Sequence, residues 1–276
     1  YRRQRQMCIR DSIKATVLAA ASVFAVSALA QQDSTTAGIE AYREALQDGN
    51  PADLYVDSGA EIWKKKAGPK DASLEQCDLG LGAGKVKGAY AQLPRYFKDT
   101  NKVQDLESRL LTCMENLQGV DTSEIVKASF TSPKKADLVA LSAYVSSESK
   151  GMKVKAPMSH PKEKQMYNLG RRLFYYQAGP YDFACATCHG QEGKRIRLQD
   201  LPYIPSAEGA AKGWTTWPAY RVSSGQMWSM QWRINDCFRQ QRFPEPIYAS
   251  DVTVAISSFM AGNSNGYKMQ TPGIKR

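Results

Sequence analysis

The chain has 276 residues, of which 42% are apolar and 23% charged, and its formal net charge is +10. This length is enough for two domains of ordinary size, and the negative mean hydropathy is typical of soluble globular proteins. The lysines and arginines form no clustered runs, so nucleic acid is not an expected partner.

The first thirty residues are predicted to be a secretory signal peptide. An apolar, alanine-rich stretch covers residues 13–30, follows basic residues and ends in Ala28-Leu29-Ala30, a small-x-small cleavage site. A membrane anchor is the alternative, but the apolar part falls short of the roughly 18 to 20 residues that a span needs. We therefore expect a periplasmic protein with no membrane span after cleavage. Residues 1–12 fit poorly even as the start of a signal, and we assign them no function.

The predicted mature chain is mildly basic and rich in cysteine. Removal of residues 1–30 lowers the net charge to +6, which suits anionic substrates or an acidic partner protein. Export places the cysteines in an oxidising compartment. Five of them remain, namely Cys77, Cys113, Cys185, Cys188 and Cys237. Because five is an odd number, at least one has no partner cysteine within the chain.

Apolar residues at helical spacing predict a mainly α protein. In chain order, the expected helices cover about Ala41–Lys65 (interrupted near Pro51), Leu106–Cys113, Lys134–Glu148, Pro161–Tyr176, Gln226–Gln240 and Ser250–Ala261. The segment Lys150–Glu163 is rich in lysine, proline and serine, which is typical of a linker.

The segment Cys185-Ala-Thr-Cys188-His189 has the spacing Cys-x-x-Cys-His. Two thiols at this spacing can add across the vinyl groups of a haem, and the next residue can then bind iron from one face. A zinc site would need two more ligands, but the chain holds only one other histidine, His160, whose proline-flanked position is typical of the surface. A thioredoxin-like dithiol would need a βαβ context, which is absent. We therefore predict one covalent haem c, held by Cys185 and Cys188, with His189 as an iron ligand.

The two halves of the chain align with each other in order, which indicates a duplication. The matching positions are Gly59 to Trp63 with Gly170 to Phe174, Cys77 and Gly82 with Cys185 and Gly190, Pro94-x-Tyr96 with Pro218-x-Tyr220, Arg109 and Cys113 with Arg233 and Cys237, Ala140 to Tyr144 with Ala255 to Phe259, and Gly151-x-Lys153 with Gly266-x-Lys268. We expect two tandem cytochrome c-like domains, residues 31–152 and 153–276.

The first domain is expected to hold no haem. Gly80 and Leu81 stand where the second domain has an attachment cysteine and the proximal histidine. Cys77 and Cys113 occupy the places of the other attachment thiol and of Cys237. With no macrocycle between them, these two cysteines can approach and oxidise, so we predict a Cys77–Cys113 disulfide; two buried free thiols are the alternative.

Cys237 is the unpaired cysteine, and it lies where a small cytochrome c places its second axial ligand. A thiolate there would lower the potential and stabilise ferric iron, whereas Met227 or Met230 would give an ordinary electron carrier. Methionines in a tryptophan-rich helix are more often core residues. The cysteine at the matching position of the first copy, Cys113, also favours Cys237 as the ligand.

Arg233 precedes Cys237 by one helical turn, so both side chains project from one face. A guanidinium there would lower the pKa of the thiol and offer a bidentate site for an oxyanion. A surface charge or a haem-propionate partner is an equally good interpretation of Arg233. Arg239 and Arg242 are more typical of solvated surface charges.

The segment Arg233-Ile-Asn-Asp-Cys237-Phe-Arg-Gln-Gln-Arg242, together with the Cys-x-x-Cys-His motif upstream, closely resembles the SoxA family. SoxA proteins are the catalytic cytochrome subunits of the periplasmic SoxAX thiosulfate-oxidising complex. The likeness covers roughly Tyr42 to Lys268, and Arg-x-x-Asp-Cys is its most specific part.

The resemblance implies an L-cysteine S-thiosulfotransferase that pairs with the monohaem cytochrome SoxX and couples thiosulfate to a cysteine of the carrier SoxYZ. Cys237 matches the family's active-site cysteine, which is also the distal haem ligand and is found as a persulfide. Arg233 matches the arginine assigned to substrate. Because the first haem motif is missing, the sequence resembles the monohaem branch. In dihaem members the position of Cys113 is an iron ligand, a role that it cannot have here.

Two other functions compete with this interpretation. One is a periplasmic electron-transfer cytochrome c without sulfur-transfer activity, which methionine ligation would favour. The other is a haem-based redox or gas sensor, which would open a coordination position for a small ligand such as carbon monoxide.

Overall fold

The computed structural model describes residues 37–39, 41–42, 44–196 and 199–275, without the side chains of residues 47 and 48. The predicted signal peptide, residues 1–30, lies outside the described residues. Residues 49–196 and 200–275 belong to one compact unit, and the described residues before 49, together with residue 199, belong to another. All features below lie in the larger unit, except that the turn Leu46–Gly49 and strand β4 include residues of the smaller one. No helix among the described residues has the length and apolar content needed to cross a membrane.

The larger unit is mainly helical. The helices are α1 (Ala52–Lys64), α2 (Leu106–Cys113), α3 (Ser123–Lys127), α4 (Pro133–Ser147), α5 (Pro161–Tyr175), α6 (Cys185–His189), α7 (Ala207–Trp214), α8 (Met230–Gln240) and α9 (Asp251–Asn263). Short 3-10 turns cover Leu46–Gly49 and Tyr90–Gln92, and a π turn at Met114–Gln118 extends α2. The strands are β1 (Arg95–Phe97), β2 (Lys102–Gln104), β3 (Arg195–Ile196), β4 (Gln199–Asp200), β5 (Ala219–Arg221), β6 (Gln226–Trp228) and β7 (Gly273–Lys275).

The start of α8 differs from the predicted helix Gln226–Gln240. Residues 226–228 form strand β6, which pairs antiparallel with β5 and places Met227 opposite Tyr220. The helix begins only at Met230, because the hydroxyl of Ser229 accepts the N–H of Trp232 at 3.1 Å and caps the first turn. The sequence pattern could not separate a short strand from the helix that follows it.

His160 is a helix cap rather than a plain surface residue. Its Nδ1 accepts the N–H of Lys162 at 3.2 Å, and Pro161 is the first residue of α5. Its ring also stacks on Tyr96, with the ring centroids 3.7 Å apart. The predicted linker therefore ends at His160, three residues before Glu163.

Each half contains one very close crossing of its first and last long helices. In the first half α1 packs on α4, and an added Cβ at Gly59 would lie 2.1 Å from the carbonyl oxygen of Ala140. In the second half α5 packs on α9, and an added Cβ at Gly170 would lie 1.9 Å from the carbonyl oxygen of Ala255. The aligned glycines thus allow the same backbone contact in both halves, as the duplication predicts.

The two halves also contact each other through equivalent residues. Lys153 pairs with Lys268 in an antiparallel bridge, and Tyr90 stacks on Trp214 with centroids 5.7 Å apart. The main hydrophobic cluster draws buried residues from both halves, such as Leu110 and Ile256. The duplicated units therefore share one core instead of folding as separate bodies.

In the first half a disulfide joins Cys77 to Cys113, with the Cα atoms 5.6 Å apart. Next to it the carboxylate of Asp78 accepts the N–H groups of Gly80 and Gly82 at 2.7 and 2.9 Å. Arg109 donates to the carbonyl of Asp78 at 2.6 Å and pairs with Asp99 at 2.7 Å. The segment that would have carried an attachment motif is therefore tied to α2 by a covalent bond and by a buried arginine.

We expect Gly170→Ala to lower the free energy of unfolding of the holoprotein by about 1 to 3 kcal/mol, because its Cβ has no room beside Ala255 and the helices must separate. Chemical denaturation measures this loss. Gly49→Ala is the matched control, since nothing lies within 4 Å of the added carbon. Equal stability of the two variants would contradict the close crossing.

We expect the double variant Cys77→Ser/Cys113→Ser to keep its haem and to lose about 3 to 4 kcal/mol of stability. A loop closed over 36 residues restricts the unfolded chain by about that amount. Denaturation with and without reductant provides the measurement. Reductant should weaken the wild type but leave the variant unchanged, and a variant as stable as the oxidised wild type would rule out this role of the bond.

Candidate functional site

The attachment motif forms the short helix α6, which follows the aromatic end of α5. The hydroxyl of Thr187 accepts the N–H of Ala184 at 2.9 Å and starts the turn. The Nδ1 of His189 lies 2.9 Å from the carbonyl oxygen of Pro202. Such a contact holds the proton on Nδ1 and leaves Nε2 available to bind a metal. Burial lowers the pKa of His189, which also favours the neutral, ligating form.

Helix α8 brings Cys237 to the same place. Cys237 lies in the last turn of α8 and is half-buried, as are Cys185 and Cys188. Burial raises the pKa of the Cys237 thiol, while the charge of Arg233 opposes this shift and the charge of Cys188 adds to it. The thiol from α8 and the thiols of α6 are therefore within electrostatic reach of each other.

Arg233 lies one turn before Cys237, but its guanidinium is not free. It donates to the carboxylate of Asp236 at 3.0 Å, and Arg239 donates to the other oxygen of the same carboxylate at 2.5 Å. Gln240 adds a third contact at 2.6 Å. The buried Asp236, to which the sequence pattern assigned no role, therefore orients Arg233, whereas the side chain of Arg239 stays 64% exposed.

Arg221 is a site residue that sequence reasoning missed. It is the last residue of β5, its guanidinium lies 5.0 Å from the ring centroid of Trp228, and its buried Nε has no hydrogen-bond partner. Burial and the nearby charge of Arg233 lower its pKa, while Asp236 and Cys237 oppose the shift. The equivalent strand position in the first half is occupied by Phe97. Comparison of the two copies could therefore have identified Arg221, because the arginine is present only in the second copy.

The two competing methionines lie in apolar surroundings. Met227 is 1% exposed and packs in a cluster with Ala52 and Val139 of the first half. Met230 is 4% exposed and belongs to the main core. Both side chains are engaged in packing, which agrees with the core interpretation of these residues.

These groups fit a haem c. The donor set contains two thiols at attachment spacing, an imidazole with its Nδ1 already bonded, and a further thiol on a facing helix. Burial, together with the charge of Cys237, raises the pKa of the Cys185 thiol to about 12.

Comparison with known proteins gives the same assignment from an independent direction. The family model described as SoxA/TsdA, cytochrome c domain, matches residues 58–154 and again residues 169–269. The prediction of two tandem cytochrome c-like domains in a mainly α chain is therefore confirmed. The chain also shares its fold with a chain in the crystal structure of SoxXA from P. pantotrophus, with a TM-score of 0.70, 23% identity, and coverage of 85% of this chain and 83% of the other.

Two curated relatives are similar over nearly their whole length. The L-cysteine S-thiosulfotransferase subunit SoxA of Hydrogenophilus thermoluteolus is 55% identical over 273 residues, covering 96% of this chain and all of the relative. A protein of the same name from Hydrogenobacter thermophilus is 36% identical over 264 residues, covering 94% and 96%. On the family match and on these identities, the chain belongs to the SoxA/TsdA cytochrome c family.

Proposed function

We propose that this chain is the SoxA-type subunit of an L-cysteine S-thiosulfotransferase and that Cys237 is the sulfur at which thiosulfate reacts. The relatives of this name align with nearly the whole chain. The observation that supports the assignment of the site is that the charges of two arginines, Arg233 and Arg221, lower the pKa of the Cys237 thiol against the effect of its burial. A thiosulfate dianion needs such positive charge, together with a sulfur that can form an S–S bond.

Haem c would be held by thioether bonds to Cys185 and Cys188, with His189 and Cys237 as the iron ligands. The free state of all three cysteines and the bonded Nδ1 of His189 support this assignment. We propose one haem per chain, because the first half carries a disulfide and Leu81 at the positions that attachment and ligation require. The haem supplies one-electron oxidation chemistry when it is bound.

The proposed reaction has two sulfur steps. In the first, the Cys237 thiolate bonds to the terminal sulfur of thiosulfate, and the two electrons released pass to the cytochrome system of the complex. In the second, a thiolate on the carrier attacks the sulfur that is bonded to Cys237 in this adduct, so that the carrier keeps the S-thiosulfonate and Cys237 leaves as the thiolate. If Cys237 is a persulfide, its outer sulfur takes the same part.

The chain's own residues prepare both steps. Asp236 holds the guanidinium of Arg233 in a fixed orientation. The guanidinium of Arg221 packs against the ring of Trp228. Both arginines stabilise anionic sulfur, because each bears a positive charge close to the half-buried Cys237. The nearby positive charge also opposes the rise in thiol pKa that burial causes, which increases the fraction of reactive thiolate.

The proposed partners follow from the family. A SoxX-like monohaem cytochrome would form a heterodimer with this chain. The similar structure from P. pantotrophus is named SoxXA, which supports such a pair. A SoxYZ-like carrier would supply the acceptor cysteine. We place the protein in the periplasm, in agreement with the predicted signal peptide.

Cys237→Ser should abolish transfer, with a loss of at least about a thousandfold, because serine cannot form the S–S bond. The assay combines holoprotein, SoxX-like cytochrome, carrier and thiosulfate, and measures the mass added to the carrier. The haem should stay attached, but its ferric spectrum should change. Met230→Leu is the matched control, since a volume-conserving change in the core should alter neither property. The opposite pattern, with full transfer by Cys237→Ser and a shifted spectrum in Met230→Leu, would favour an electron-transfer cytochrome.

Arg221→Gln and Arg233→Gln should each raise the KM for thiosulfate about ten- to a hundredfold, because each removes one charge-assisted contact with the dianion. Initial rates against thiosulfate concentration provide the measurement. Arg242→Gln serves as the control, since this arginine is exposed and is not part of the proposed site. A KM of Arg221→Gln equal to that of the control would remove Arg221 from the substrate site.

A further inference from the structure

Helices α2 and α8, which are equivalent in the two halves, meet at their first turns. The backbone N–H of Gln231 donates to Oε2 of Glu107 at 3.0 Å, and these residues lie 124 positions apart. The same separation relates Arg109 to Arg233 and Cys113 to Cys237. The contact therefore joins equivalent positions of the two copies, and one of these helices carries the proposed reactive sulfur.

The contact is part of a buried polar cluster, which we define as Asp105, Glu107, Gln231 and Tyr248. The hydroxyl of Tyr248 donates to Oε1 of Glu107, and the side-chain amide of Gln231 donates to Oδ2 of Asp105, both at 2.5 Å. Asp105 also caps α2 by accepting the N–H of Ser108 at 3.0 Å. Gln231 is fully buried, and both carboxyl groups belong to residues that are only 4% exposed.

The first turns of two helices explain why acidic groups are stable here. Each first turn has N–H groups without an intrahelical acceptor and carries a partial positive charge. Glu107 satisfies one such N–H of α8, while Ser229 satisfies another, so that the carboxyl group comes from the first half and the hydroxyl from the second. The ammonium of Lys135 lies 4.5 Å from the ring centroid of Tyr248.

We propose that Glu107, in the half without haem, is a positioning residue for Cys237, an inference that rests on the function proposed above. Helix α8 runs as one rigid element from Gln231 to Cys237, a distance of about 9 Å along its axis. A carboxyl group fixed to the first turn therefore determines the tilt of the helix and the placement of the thiol. Displacements near 1 Å at a reacting atom lower rates by about a hundredfold, so such a contact can affect catalysis from a distance.

This role gives the first half a purpose that does not require a haem. Its α2 is held by the disulfide and by Arg109, and it presents Glu107 to α8 as part of a stable body. Burial and the neighbouring Asp105 raise the pKa of Glu107 to about 8, which favours the neutral form of its side chain. A glutamine at this position is then a close substitute, because its amide oxygen can still accept the N–H of Gln231.

The test compares Glu107→Ala, Glu107→Gln and the control Glu124→Gln, whose exposed side chain pairs with Lys134 at the surface. The proteins are purified with haem and assayed in the full complex. We expect Glu107→Ala to lower kcat about ten- to a hundredfold with a smaller change in KM, and to shift the ferric haem spectrum. Glu107→Gln should stay within about threefold of wild type, and Glu124→Gln should match wild type.

Hydrogen exchange supplies a readout that does not depend on activity. In Glu107→Ala, amides in α8 should exchange at least about tenfold faster, while those in α9 should not change. Wild-type kinetics, spectrum and exchange in Glu107→Ala would overturn the proposal, as would a Glu107→Gln variant as impaired as Glu107→Ala. If wild type transfers no thiosulfate, the proposed function fails, while the spectrum and the exchange rates still test the positioning role.

A second variant covers the case in which Glu107→Ala does not fold. Tyr248→Phe removes one hydrogen bond to Glu107 and keeps the ring, so the carboxyl group is less firmly held. We expect the same changes at a smaller size, with kcat lowered about threefold and α8 exchange increased. If Tyr248→Phe matches wild type in both properties while Glu107→Ala is unfolded, the positioning role is rejected.

Discussion

Each half of the protein depends on one close contact between two helices, where a glycine allows the backbone of one helix to touch that of the other. At Gly59 and again at Gly170, no space remains for even a methyl group. This contact determines the angle between the first and last long helices, and the attachment segment lies between them in the chain. The same constraint therefore shapes a half that carries the haem motif and a half that does not.

The half without the motif shows what replaces a prosthetic group in such a fold. A cytochrome core is partly filled by its haem, and loss of that volume would leave a cavity that destabilises the chain. Here a disulfide draws α2 to the former attachment segment, and Arg109 packs over Phe97 at 4.0 Å while its donors are satisfied by Asp78 and Asp99. The equivalent Arg233 in the other half also pairs with one carboxylate, that of Asp236, but its side chain is 25% exposed, against 6% for Arg109.

The electrostatic design of the proposed site follows from this difference between equivalent positions. Arg221 stands where the first half has Phe97, and Asp236 orients Arg233 without cancelling the positive charge, since Arg233 and Arg239 both pair with this one carboxylate. Arg221 and Arg233 are half-buried, and the charge of each lowers the pKa of the Cys237 thiol. This placement of two positive charges near one thiol is the physical reason to propose a binding site for a dianion.

The sequence alone identified the features that depend on local spacing. Patterns over a few residues revealed the attachment motif, the six long helical segments and the one-turn spacing between Arg233 and Cys237. Repetition of such patterns along the chain revealed the duplication. Helix ends were harder, and the boundary between β6 and α8 was misplaced, because a three-residue strand has too little periodicity to be recognised.

Only the tertiary structure decided which distant residues meet at the site. Arg221 comes from a strand and Glu107 from the other copy, and neither has a motif of its own. The buried contact of Glu107 with Gln231 joins residues that are 124 positions apart, so it depends on how the two halves pack. Contacts of this kind result from the burial of a shared core, and local spacing in a single sequence carries no record of them.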